Sequence, residues 1–222
     1  MRQHHKFTRL IPVPVGAGVL LEIEYGKIET SLELLGGPFR NLPTGYVRSI
    51  SPAVLDGAVR WLGVDNFENG DVGPRVLFPE PKVRYFEEAE YQLFGLEAPD
   101  PDKNGFGDLC YIQFKHLIAV CTPTDQLPFS PLGGRVFFEF DYDDESLDII
   151  ELDSGIAVQE RHLAADNMIA TVTGVGPDVK YVQVGDRVVA NRHVGSIDFE
   201  GKKYFFVHSE HELFAVAKPV NV

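Results

Sequence analysis

Seven histidines, two cysteines and two acidic runs are the side chains here that could do chemistry, and their spacing gives them little to do. His208 and His211 stand three apart, a spacing that brings two imidazoles to one metal on a helix. They follow a strand-like run, however, and in a strand-turn setting they face different ways. Cys110 and Cys121 each sit in an apolar run with no paired histidines nearby. Buried, reduced thiols are therefore expected rather than a zinc site or a disulfide scaffold. Asp141-Tyr142-Asp143-Asp144-Glu145 lacks the central glycine and distal glutamate of a calcium loop. It reads as a solvated loop, as does Glu87-Glu88-Ala89-Glu90. No Gly-x-Ser-x-Gly, phosphate-binding or dinucleotide pattern occurs. No catalytic residue, metal or cofactor is expected, and the chain does not read as an enzyme.

The elements that carry these residues follow from composition. The chain has 222 residues, 44% hydrophobic and 24% charged, in the globular range. A net charge of -13 argues against nucleic acid, whose phosphates need a basic face. No stretch approaches the roughly 20 apolar residues of a membrane helix. The basic start, Met1 to Lys6, is followed by prolines where a signal peptide would have its apolar core. A cytoplasmic, reducing setting is the expectation.

Short runs alternate apolar and polar residues and then break at Gly and Pro. They cover 19–25, 45–50, 75–78, 111–114, 135–142, 168–175, 187–190 and 203–207. That pattern predicts an all-β protein. Helical spacing is scarce, with 52–62 the best candidate, where one short helix or a surface hairpin could equally stand.

The sequence also repeats itself. Residues 14–25 align without gaps on 131–142, an offset of 117, with Pro, Gly, Val, Glu and Tyr recurring in register. Gly70-Asp71 followed by Arg75-Val76-Leu77 echoes Gly185-Asp186-Arg187-Val188-Val189. Residues 116–120 echo 212–216. Three blocks in one order predict two tandem copies of one β domain, at 8–122 and 131–218. A proline-bearing linker, 123–130, would join them.

The second copy resembles the co-chaperonin (GroES-type) family over nearly a whole domain. Pro131-Leu132-Gly133-Gly134-Arg135-Val136 looks like the first strand's P-L-x-D-R-V. Ser154-Gly155-Ile156-Ala157-Val158 looks like the mobile loop's G-G-I-V-L. Thr171 to Gly176 resembles G-x-V-x-A-V-G, and Val182 to Val188 resembles V-K-V-G-D-x-V. Glu200 to Tyr204 is similar to D-G-x-x-Y, and Ser209 to Val216 to x-E-x-D-I-L-A-V. The first copy departs from the pattern. It lacks Gly-Ile-Val-Leu, carries extra residues between Ser51 and Gly70, and has a polar insertion from Glu97 to Asp108. The second copy has almost no roof, since Gly176-Pro177-Asp178 runs straight on.

The resemblance implies two tandem GroES-like small β-barrels. It implies a homo-oligomer that caps a chaperonin ring through mobile loops, without catalysis. The partner-binding candidates are Gly155, Ile156, Ala157 and Val158 in the second copy, with Leu32, Leu34 and Leu35 in the first. Each apolar contact is weak, so a ring would rely on avidity. An edge strand is the structural alternative for 155–158. A second functional expectation stands beside the first. A structural protein with a borrowed fold, such as a decoration or cement protein on a virion, would use the same edges and loops against capsid protein.

Overall fold

The computed structural model describes residues 4–8, 10–27, 39–65, 67–79, 82–100, 107–140, 147–151, 157–161, 169–190 and 194–217. For 25–27, 39–43, 147–151 and 157–161 it describes the backbone alone. The protein is mostly β, with few helices. It divides into two compact units, one of 1–124 with 128–132, the other of 125–127 with 133–222.

The first unit is one antiparallel sheet. Its strands are β1 (Gly18–Lys27), β2 (Phe39–Ile50), β3 (Arg75–Leu77), β4 (Arg84–Tyr85), β5 (Leu109–Gln113), β6 (Ala119–Val120) and β7 (Ser130–Pro131), in the spatial order β4-β5-β1-β2-β3-β6-β7. Alternation decides its faces. Val19, Leu21 and Ile23 enter the main core with Val47, Val76, Cys110 and Ile112. Leu20 faces the other way, against Leu109, Phe86 and Tyr91.

Two helices are inserted into this sheet. After a 3-10 turn capped by Ser51, α1 (Leu55–Leu62) buries Ala58 and Leu62 and ends at Gly63, which takes the left-handed conformation. Of the two expectations for 52–62, a short helix or a surface hairpin, the helix is the one found. The second helix, α2 (Glu88–Phe94), stands where a solvated acidic loop was expected. Glu87 accepts from the backbone of Glu90, whose side chain accepts from the backbone of Glu87, a reciprocal cap that satisfies two end amides. Tyr91 then reaches the core and accepts from the Leu109 amide at 2.8 Å.

The second unit has β8 (Val136–Phe140), β11 (Ile169–Val175), β12 (Arg187–Val189), β13 (Gly195–Phe199), β14 (Lys202–Val207) and β15 (Ala215–Ala217), in the order β13-β14-β8-β11-β12-β15. A separate hairpin of β9 (Leu147–Glu151) and β10 (Ala157–Arg161) lies between β8 and β11 in the chain. Val136, Phe138 and Phe140 enter its core with Ala170, Val172, Val188 and Val207.

Numbered by appearance, the six strands of the second sheet follow the same spatial order as the first six strands of the first. The residue registers match as well. Val19 pairs with Ile50 and Ile112, and Val136, 117 residues on, pairs with Val175 and Val207. Val76 lies between Gly45 and Val120, and Val188 between Ala170 and Val216. Even the irregularity recurs. Leu20 and Leu21 face Ser49 and Val47, skipping Arg48, while Phe137 and Phe138 face Gly174 and Val172, skipping Thr173. A bulge kept at one register position marks it as part of the repeated design. One detail differs from the sequence alignment. Gly73 and Gly185 both donate into the bulged strand, to Val47 and Val172, so the counterpart of Gly185 is Gly73 rather than Gly70.

Candidate functional site

The chain leaves each ladder between the first and second strands. In the first unit the excursion is 28–38, after which Lys27 pairs with Phe39. Leu32, Leu34 and Leu35 fall in it and lie outside the described residues. In the second unit the excursion is 141–168, and part of it is the β9–β10 hairpin. Gly155 and Ile156 lie outside the described residues, whereas Ala157 and Val158 open β10, paired with Glu151 and Ile150. The two sets of candidates thus sit on the same connection of two equivalent ladders.

Sequence reasoning did not single out the densest polar cluster, which lies in the first unit. Glu22 and Arg48 form an ion pair, each residue 2% exposed. Strand alternation places Arg48, because Tyr46 pairs with Glu22 and Arg48 lies two residues on, on the face opposite the core residues Leu21 and Val47. Its guanidinium donates to Glu22 Oε2, to the carbonyl of His5, to Asp71 O at 2.9 Å and to Gly70 O at 3.1 Å. It also lies over the Phe7 ring, 5.1 Å from the centroid. Glu22 Oε1 accepts from the His5 amide at 3.3 Å, and His4 Nδ1 lies 3.5 Å from the same oxygen. A buried charge pair is tolerated only when its remaining donors and acceptors are also met, and these are met by backbone. Beside it, Glu24 accepts from Thr44 at 2.8 Å and pairs with Arg75.

The cluster clamps residues 4–7 onto the sheet. His5 Nε2 meets Gly107 O at 3.0 Å, and burial, the largest influence, holds the imidazole below its ordinary pKa, with Glu22 opposing. Gly107 itself allows the close approach, since a Cβ there would stand 1.9 Å from the carbonyl oxygen of Ile23. Glu22 and Arg48 meet each other, His4, the backbone of His5, Gly70 and Asp71, and the Phe7 ring. The cluster fastens the N-terminal segment to the sheet.

Beyond the clamp, residues 13–18 form one wall of an open groove of about 850 Å³, whose other side includes Lys82, Arg84, Tyr111 and Gln113. Its lining is mainly apolar, with Val13 and Val15 exposed. Among the described residues no three His, Cys, Asp or Glu side chains gather as a metal site. His208 follows the end of β14 and His211 lies in a 3-10 turn (Glu210–Glu212). The Cys110 thiol is buried and pushed above its ordinary pKa by desolvation, which disfavours the reactive thiolate.

No family model matches the chain. No curated protein matches it either.

Proposed function

We propose that the chain is a co-chaperonin-like cap, built of two tandem GroES-like barrels, that docks on a chaperonin ring through its two strand excursions and has no catalysis of its own. The observation that carries this reading is positional. Both apolar candidate segments interrupt the same connection of two register-matched ladders, so one chain would present two equivalent contacts. Two weak apolar contacts on one chain gain by avidity what each lacks alone. In this reading Ile156, Ala157 and Val158 fill a pocket on the ring from the second unit, and Leu32, Leu34 and Leu35 do so from the first. The cap would be a homo-oligomer working in the cytoplasm.

The paired strands β9 and β10 favour a second reading, a borrowed fold that makes static contacts with capsid protein on a virion. A preformed hairpin has less entropy to lose on binding than an open loop and suits a permanent lattice.

The test is capture of the purified protein by a chaperonin ring with ATP, with ADP and without nucleotide. Nucleotide-dependent capture that is lost on the double change Ile156→Ser and Val158→Ser is the expected result. Capture by none of the three overturns the cap and directs attention to virions. Capture that survives the double change unweakened overturns the assignment of the loop.

A further inference from the structure

Residues 4–8 belong to no strand or helix, so side chains must hold them in place. They alternate as an extended segment does. His5 is buried and Phe7 half-buried, while Lys6 and Thr8 are exposed. The His5 ring lies against Tyr91 of α2, centroids 5.8 Å apart, and its Nε2 meets Gly107 O. Phe7 packs on the cluster of Leu20, Phe86, Tyr91 and Leu109, with the Arg48 guanidinium over its ring. His5 also gives its amide to Glu22 and its carbonyl to Arg48. The attachment thus centres on one residue, of the type that changes charge near neutral pH.

The groups around that imidazole come from each element packed against it. Glu22 stands on β1, Arg48 on β2, Asp108 just before β5 and Tyr91 on α2. His4, its neighbour in the chain, has its ring 4.9 Å from the Tyr46 ring and its Nδ1 3.5 Å from Glu22 Oε1. A proton on His5 adds a second cation to a buried site that already holds the Arg48 guanidinium. Glu22, the carboxylate in contact, is already engaged by Arg48. Burial outweighs the carboxylates and lowers the imidazole pKa, so the clamped form is the neutral one.

The second unit shows the same ladder without such a cover. Glu139 occupies the position of Glu22 with its side chain 60% exposed, and β8 is paired with β11 and β14 all the same. The first sheet is likewise closed by bonds that residues 4–8 do not share. Ile23 N donates to Asp108 O at 2.8 Å, and Phe86 N to Leu109 O at 2.8 Å.

We propose that residues 4–8 form an acid-released strap: a proton on His5 detaches them from the first sheet while the strands beneath stay paired. Release wets Glu22 and Arg48, which keep each other as partners, as Glu139 and Lys202 do in the second unit. Such local opening costs less than unfolding because it breaks few contacts. The strap is fully held above the free histidine value of about 6.5 and loosens as the pH falls below it. The device does not depend on what the protein caps, so failure to capture a chaperonin leaves it standing.

The test is amide exchange of the full chain, resolved by nuclear magnetic resonance at about pH 7.5 and about pH 5, on either side of the free histidine value. Each rate is referenced to an unstructured peptide at the same pH. The amide of residue 5 reports the strap and that of Ile23 the sheet. Protection at residue 5 should fall by up to about tenfold per pH unit below about 6.5, the slope of one proton, while Ile23 keeps its protection. His5→Gln should make the profile at residue 5 flat, and His4→Gln should leave the fall in place. Equal protection of residue 5 at both pH values would overturn the strap. So would loss at Ile23 in step with residue 5, which is unfolding of the sheet. A fall that persists in His5→Gln, or vanishes in His4→Gln, would overturn the assignment to His5.

Discussion

The same ladder is wrapped differently in the two units. Glu22 and Glu139 occupy one register position, 117 residues apart. Glu22 is buried against Arg48, whereas the Glu139 side chain is 60% exposed and reaches Lys202 at 3.3 Å. Their neighbours at the bulge are Arg48 and Thr173. Between the fourth and fifth strands the first unit inserts α2 and the residues up to Leu109, while the second turns at once through Glu200 and Gly201, both at positive φ. The comparison teaches that the pairing is set by the recurring apolar positions, and that polar positions on the outer face are free to be covered or left wet. The first unit covers them with its helix and N-terminal segment, and must then satisfy the charge it has buried.

The largest test of that difference is at the bulge. Arg48→Met leaves Glu22 buried without its partner and should cost about 3–5 kcal/mol, whereas Thr173→Ala should cost less than about 1 kcal/mol. Denaturant titration read by Cys110 labelling assigns the loss to the first unit, because that thiol lies in its core. The double change Glu22→Gln with Arg48→Met should recover much of the loss. No recovery would mean that the packing of Arg48, and not its charge, holds the clamp.

Acid should separate the units next. His5 has its pKa lowered in the folded chain, mainly by burial, so the unfolded chain binds the proton more readily. Stability is therefore full above the unfolded histidine value of about 6.5 and falls as the pH drops below it. The thermal midpoint of the first unit should decline on acidification through this window, and His5→Gln should flatten the decline. A wild-type profile with no fall there would contradict the burial of His5.

Two smaller effects belong to the second unit. Glu139→Ala removes an exposed pair and should shift stability by under about 1 kcal/mol, least at high salt. Glu200→Asn places a residue that tolerates the left-handed conformation at φ 51° and should gain about 0.5 kcal/mol. A loss on either scale of the Arg48 change would remove the distinction between covered and wet positions.

The ladder was legible because apolar spacing survives duplication. Val19, Val76 and Val120 and their counterparts Val136, Val188 and Val216 carry both the sequence alignment and the register. The shift from Gly70 to Gly73 was not legible, since Gly70-Asp71 copies the letters of Gly185-Asp186 while Gly73 copies the hydrogen bond. The helix α2 was hidden in an acidic run whose glutamates cap one another. The clamp was hidden because charged residues in strands read as solvent-facing, and it is residues 5–7, far away in sequence, that cover Arg48. The one sequence signal for it was opposite charge, Glu22 and Glu24 on one strand and Arg48 on its neighbour.

The central claim is that the two units share one ladder and differ in what covers it, most sharply at the last strand. Amide hydrogen exchange of the peptides spanning 118–121 and 214–217 tests it directly. At high dilution the first should be well protected and the second should exchange fast. Equal protection of the two peptides in the dilute chain would contradict the account.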